Sequence, residues 1–274
     1  MVNIRDLDPG ASPLDYYGAE LRRLRESAGL SQQQLGGIVF CTGSLIGQIE
    51  TARKIPTPEL TQRLDAALDT GGALSRLLKL VLRSQLPSWF QPYAEMEAKA
   101  THIYAFQAQL VYGLLQTEAY ARAVLGVMDQ DRLDERVAAR MERQRILDQD
   151  NPPLLWVVLS EAVLYQEIGG REVMRNQLAH LLSCRDRPWV QVQVLPFAAG
   201  AHAGLPGSFN ILRFDDHPDL VYDEGYGTGQ MTADTHEVRH RALRYDHLQA
   251  AALSVEESAE LTACVMEERY GEQP

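Results

Sequence analysis

Between Ser31 and Glu50 the chain specifies two short helices joined by very little connecting chain. Ser31 is a suitable N-cap, and Gln34, at the third helical position, completes a capping box. The apolar period carries this helix to about Val39. After a short turn Thr42 can cap the next helix, which runs to Glu50 or Thr51. Counting about 100° per residue, Ile46 and Ile49 point inward while Ser44 and Gln48 point outward. Helices of two turns do not persist alone in water, so they must pack on neighbours. The neighbours are legible. One helix ends at Ala28-Gly29, a helix-stop pattern, and another starts at Pro58 after the loop TARKIPTP.

The series Leu30-Ser31-Gln32, Leu35, Ile46, Ile49-Glu50, Arg53 and Pro56 resembles the XRE family, helix-turn-helix proteins of the phage-repressor type. The resemblance implies an all-α module whose helix 42–50 enters the DNA major groove. It implies base contacts from Gly43, Ser44 and Gln48, with Thr42 at the start of the helix. Gln32 would meet a phosphate, and Arg53 and Lys54 would lie beside the backbone as salt-sensitive anchors. Arg25 and Glu50 would form an ion pair joining the first and third helices. The sequence departs from the pattern in three places. Phe40-Cys41 occupies the turn where Gly is frequent. Gly43 offers no side chain to a base. Gly36 and Gly37 each weaken their helix by roughly 1 kcal/mol relative to Ala, which points to a looser module.

Residues 1–13 read as a lead-in, 14–83 as the helical DNA-binding domain and 84–92 (SQLPSWFQP, two prolines) as a linker. Residues 93–270 read as a mixed α+β domain, so the expected class is α+β overall. Strands are expected at 101–110, 154–159, 190–195, 209–214 and 220–222. Helices are expected at 118–127, 131–149, 170–185, 234–252 and 255–270. Charge divides unevenly: residues 1–90 carry a balance of +1 and residues 91–274 one of −12. An acidic chain would ordinarily argue against nucleic acid, but a near-neutral N-terminal module can still present a basic face. Cys41, Cys184 and Cys264 are odd in number and far apart, which gives no disulfide framework and suits a cytoplasmic setting. No signal segment or membrane span is read.

A second resemblance covers roughly residues 88–270. It rests on Trp89-Phe90, Tyr93, Glu97, the run from Gly113 to Ala123, Arg140-x-x-Arg143-Gln144, Glu161, Gly169-Gly170, Gln177-Leu178, Val194-Leu195-Pro196, Gly207-Ser-Phe and Val221-Tyr222-x-Glu224. This series is similar to the large C-terminal domain of actinobacterial XRE regulators of the antitoxin-like, or WhiJ-like, type. The resemblance implies a possible small protein partner encoded nearby. Tyr112 stands where that type often has Pro, and Ser160 where it often has Asp. On the residues themselves, Glu97, Arg140, Arg143, Glu161, His202 and Glu224 are polar groups beside apolar segments. Arg140 and Arg143 share a helix face, and Glu161 and Glu224 follow strand ends, where ligand sites often lie. They are candidates for a small-molecule, peptide or partner site, or else for structural ion pairs and caps.

His236-Glu237-Val238-Arg239-His240 matches H-E-x-x-H, the pattern in which two histidines bind zinc and a glutamate activates water. Asp234 followed three residues later by Glu237 reads instead as a capping box. Val238, Ala242, Tyr245, Leu248 and Ala252 form the apolar stripe of that helix, with both histidines on the opposite side. EGYGTGQ (224–230) lacks the spacing of a phosphate loop and reads as a flexible turn. AAGAHAGLPGS (198–208) reads as a connector, and no nucleophile elbow is present. The expectation is a non-enzymatic transcriptional regulator that needs no metal or cofactor, binds double-stranded DNA as a homodimer and does not enter membranes. An antitoxin that sequesters a protein partner and a metal hydrolase are the rivals.

Overall fold

The computed structural model describes residues 7–127, 132–225 and 227–271 and divides the chain into two compact units, Met1–Pro87 and Ser88–Pro274. The first six residues of the lead-in, Asp131 at the expected start of a helix, and Tyr226 within EGYGTGQ lie outside the described residues.

The first unit is five helices: α1 (Pro13–Ser27), α2 (Gln32–Ile38), α3 (Gly43–Glu50), α4 (Pro58–Ala67) and α5 (Ala73–Ser84). Their starts are chemically marked. Ser12, Ser31, Thr42 and Thr57 each accept a backbone N–H from the first turn of the helix they precede, which satisfies a donor that would otherwise be orphaned. The core is closed by Tyr17, Leu21, Leu35, Ile46, Ile49, Leu64, Leu74 and Val81, all essentially without solvent contact.

The second unit is built on one six-stranded mixed sheet. The strands are β1 (His102–Gln107), β2 (Leu154–Ser160), β3 (Val190–Leu195), β4 (Phe209–Arg213), β5 (Leu220–Gly225) and β6 (Thr228–Thr232), in the spatial order β3-β2-β1-β4-β5-β6. β1, β2 and β3 run parallel, and β4, β5 and β6 continue antiparallel from β1. The helices are α6 (Gln91–Glu97), α7 (Glu118–Leu125), α8 (Leu133–Gln144), α9 (Ala162–Tyr165), α10 (Arg171–Ser183), α11 (Thr235–Ala251) and α12 (Val255–Tyr270). α11 covers one sheet face, where Tyr245 and Leu248 pack with Phe106, Val158, Ile211 and Val221. On the other face α12 packs on α10 and β3. Toward β5, Tyr93 of α6 stacks on Tyr222 at 4.1 Å between ring centroids.

The α+β class therefore stands, and each expected strand is formed. Three segments differ from the sequence reading. EGYGTGQ is not a free turn: Gly225 pairs with Thr228, and β6 extends the sheet from it. The expected helix 131–149 is α8 followed by a tighter 3₁₀ turn at Arg145–Asp148. Gln91 and Pro92, read as part of the linker, form the first turn of α6, a position where Pro costs no hydrogen bond.

Candidate nucleic-acid interface and buried polar cluster

In the first unit α2 and α3 approach so closely that two glycines are required. A side chain at Gly36 would put its Cβ 2.8 Å from the Cys41 carbonyl oxygen, and one at Gly43 would put it 2.9 Å from the Gln33 Cα. This corrects the reading of Gly36 as a mark of looseness, because the missing side chain is what lets the helices pack. Nothing lies within 4 Å of a Cβ at Gly37, so its weakening of α2 stands without compensation. The turn between the helices holds Phe40 at φ 58°, the left-handed conformation in which Gly is usual, with 85% of its surface exposed.

The outer side of α3 is open. Thr42, Ser44 and Gln48 are exposed, while Ile46 and Ile49 are fully buried on the inner side. Arg53 and Lys54 are exposed just beyond the helix, and the Arg53 N–H donates to the Gln48 carbonyl at 2.9 Å. α3 is braced from behind by Glu50, whose carboxylate has no solvent contact. Arg25 reaches it through Nε and through Nη2 at 3.0 Å, and hydrogen bonding to Glu50 raises the Arg25 pKa. Gln32 is the departure here. Its amide Nε2 donates to Glu50 Oε2 at 2.8 Å and its Oε1 lies over Gly47, so the side chain is spent inside the module rather than turned outward to a phosphate. A buried carboxylate has about four lone-pair sites to satisfy, and it draws in the donors around it.

In the second unit four of the six candidate residues come together beyond the C-terminal ends of β1 and β5. Glu97, at the end of α6, is fully buried. Its Oε1 accepts from the hydroxyls of Tyr93 at 2.9 Å and Tyr112 at 2.5 Å. Its Oε2 is 3.3 Å from Arg143 Nη1. Burial first, and then the Glu97 charge, push both tyrosines well above their usual pKa. Arg143 lies over the Phe90 ring at 4.9 Å. Arg140, one turn earlier on α8, donates Nη1 to Gln116 Oε1 at 2.8 Å. Burial, with the like charge of Arg143, lowers the Arg140 pKa to about 10. Glu224, at the end of β5, is exposed yet sits deep enough that burial raises its pKa, partly offset by Arg140 and Arg143.

Gly113 is needed for this arrangement, since a side chain there would run into the Arg143 guanidinium. The network continues into the sheet through Asn210, which donates to the Tyr93 hydroxyl at 3.1 Å and accepts from Gln107 at 2.9 Å. Tyr112, Gln116, Gln107 and Asn210 were not singled out as site residues from the sequence. Tyr93 and Glu97 lie four apart on one face of α6, a spacing that would have signalled a local pair had that helix been read from the sequence. Glu161 and His202 have other partners. Glu161 Oε2 accepts the Phe197 N–H at 2.6 Å and ties the end of β2 to the loop after β3. His202 Nδ1 accepts the Gly204 N–H at 3.2 Å, and its ring meets Phe106 edge-on.

Residues 17–78 match the family model described as a helix-turn-helix domain, and residues 90–263 match the model described as a domain of unknown function, DUF5753. The chain belongs to the DUF5753 family. Its N-terminal unit is a helix-turn-helix domain, the module class that binds DNA. No curated protein and no solved structure matches the chain. No helix among the described residues is long and apolar enough to cross a membrane.

Within the DUF5753 domain, HEVRH opens α11. Asp234 Oδ1 accepts the backbone N–H of His236 and of Glu237, both at 3.0 Å. The return half of the expected capping box is not made, because the Asp234 N–H is already bonded to Thr232 Oγ1 at 3.1 Å. Glu237 turns instead toward His236 and Arg241, each 3.9 Å away. His236 and His240 are both exposed, and among the described residues no group of three or more His, Cys, Asp or Glu is placed to hold a metal.

Proposed function

We propose that this DUF5753 protein is a sequence-specific DNA-binding transcriptional regulator of the XRE type, acting in the cytoplasm as a two-fold dimer and without catalysis. The observation that carries the reading is the split character of α3. Ser44 and Gln48 face solvent, while Ile46, Ile49 and the buried Arg25–Glu50 pair hold the helix rigidly from the other side. A rigid helix with polar groups on its open face is what major-groove readout needs, since Gln pairs bidentately with adenine and Ser bonds to several bases. On this reading Arg53 and Lys54, exposed just beyond the helix, meet the phosphate backbone. In a two-fold dimer the half-sites are about 34–36 Å apart centre to centre, one turn of DNA. The DUF5753 domain is then the regulatory part.

Genome-wide footprinting identifies the operator. On that operator Gln48→Ala weakens binding by about 1–3 kcal/mol and leaves random DNA nearly unaffected. Arg53→Ala weakens all sequences alike and reduces the salt slope by about one. Equal losses on operator and random DNA for Gln48→Ala overturn the assignment of α3 as the reading helix. A stoichiometric small protein that co-purifies and competes with DNA would shift the main task to the antitoxin-like one.

A further inference from the structure

The polar cluster of the DUF5753 domain holds two cations and two carboxylates, yet only Arg143 and Glu97 are close enough to form an ion pair. Two guanidinium groups lie side by side, and the one fully buried carboxylate, Glu97, pairs with Arg143 alone. Arg140 has five N–H donors, yet its one hydrogen bond goes to a neutral acceptor, Gln116, and among the described residues no carboxylate forms an ion pair with it. Arg143 keeps 8% of its side chain exposed, and its Nε is buried without a hydrogen-bond partner. The Tyr222 hydroxyl, facing the same cluster, is also buried and unpartnered. A largely buried charge without a close partner is costly to hold. The two guanidinium groups lie on either side of the space that a side chain at Gly113 would enter.

The remaining carboxylate that acts on both arginines is Glu224, exposed at the end of β5 and outside ion-pair distance of either. Arg140 and Arg143 are both half-buried, and Arg140 has most of its donors unused within the protein. The position is also the one where α/β sheets take ligands, outside the carboxyl ends of strands. Tyr112, Gly113 and Gln116 follow β1, and Glu224 ends β5.

We infer that Arg140 and Arg143 form a receptor for the anionic group of a small molecule, a carboxylate or a phosphate, which enters beside Glu224 and gives Arg140 the ion pair it lacks. Arg140, with most of its donors unused within the protein, takes the group, and Arg143, fixed by Glu97 and Phe90, orients it. The inference deepens the reading of this domain as the regulatory part, and it rests on that reading only for its effect at DNA.

The full-length chain is titrated with acetate and with inorganic phosphate, against chloride at matched ionic strength, and followed by calorimetry and thermal unfolding. The expected result is saturable binding and a raised unfolding midpoint with one of the two anions, which also distinguishes the carboxylate from the phosphate source. Arg140→Gln, shown by circular dichroism to be folded, loses at least tenfold in affinity. Glu224→Gln, a change at an exposed position, gains several-fold because a competing carboxylate is gone. Arg53→Ala, in the other unit, leaves the effect intact. Binding equal in wild type, Arg140→Gln and Glu224→Gln, or no effect beyond chloride, overturns the inference. A chain that footprints DNA but ignores both anions overturns it alone, while one that binds the anion at Arg140 but no DNA overturns only the regulator reading.

Discussion

Asp65 and Gly43 show how single residues carry the first unit. Asp65 is nearly buried near the end of α4 and accepts from the N–H of Leu74 at 2.9 Å, the N–H of Ser75 at 3.0 Å and the hydroxyls of Ser75 and Thr70. It thus caps α5, whose own N-cap is Gly72 with no side chain to offer. Burial pushes its pKa up, but the bonds from Ser75, Thr70 and the two amides outweigh burial and leave it lowered. A carboxyl lowered in the folded state contributes stability that is fully present above its unfolded pKa of about 3.9. That stability is lost as pH falls through the folded value. Asp65→Ala is expected to cost about 2–3 kcal/mol at neutral pH, and denaturant melts at falling pH should show the difference from wild type shrinking below about pH 4. An undiminished difference at pH 2 counts against this account. Gly43→Ala, whose new Cβ meets the Gln33 backbone, should cost about 1–3 kcal/mol in the same melts. The sequence offered Gly43 as a lost base contact. That it is a packing residue was not legible, because the pattern of a helix records its own faces and not how near its neighbour's backbone lies.

At the scale of elements, most starts and stops were written in local chemistry. Ser31, Thr42 and Thr57 cap their helices, and the short apolar run of β2, with Val157 and Val158 at its centre, reads as a strand between layers. β6 was missed because Thr-Gly-Gln-Met-Thr has neither alternation nor a β-branched core, and it exists as the outer partner of β5. The cap of α11 illustrates a subtler miss. Asp-x-x-Glu named the right N-cap, but Thr232 lies two residues before it and reaches the Asp234 N–H first. Two substitutions separate these contributions. Asp234→Ala should destabilise the DUF5753 domain by about 1 kcal/mol, the usual value of an N-cap. Glu237→Ala should stay within about 0.5 kcal/mol, as for an exposed residue with no cap bond to lose. If chemical denaturation gave the two equal losses, the capping box would be forming in solution after all.

The whole molecule joins two units of different electrical character, with balances of +1 and −12, and each closes its own core. The composition showed the asymmetry directly. It did not show the cluster around Arg140, because Glu97, Tyr112, Gln116, Arg143 and Glu224 come from α6, the turn after β1, α8 and β5, and only the sheet brings them together. Where each core unfolds by itself, unfolding is a sum of two transitions and a single midpoint does not describe the chain. Differential scanning calorimetry should therefore resolve two components, and the substitutions assign them. Asp65→Ala lowers one midpoint, by about 4–8 °C per kcal/mol for a unit of under a hundred residues. Asp234→Ala lowers the other by a smaller amount per kcal/mol, because the second unit is larger and its unfolding entropy greater. A bound anion should raise chiefly the component that Asp234→Ala moves, and operator DNA chiefly the component that Asp65→Ala moves, since a ligand acts most directly on the unit that holds its site. If DNA and anion each raised both components together, the units would be energetically coupled, and that coupling is the free energy through which occupancy at Arg140 would be read at α3.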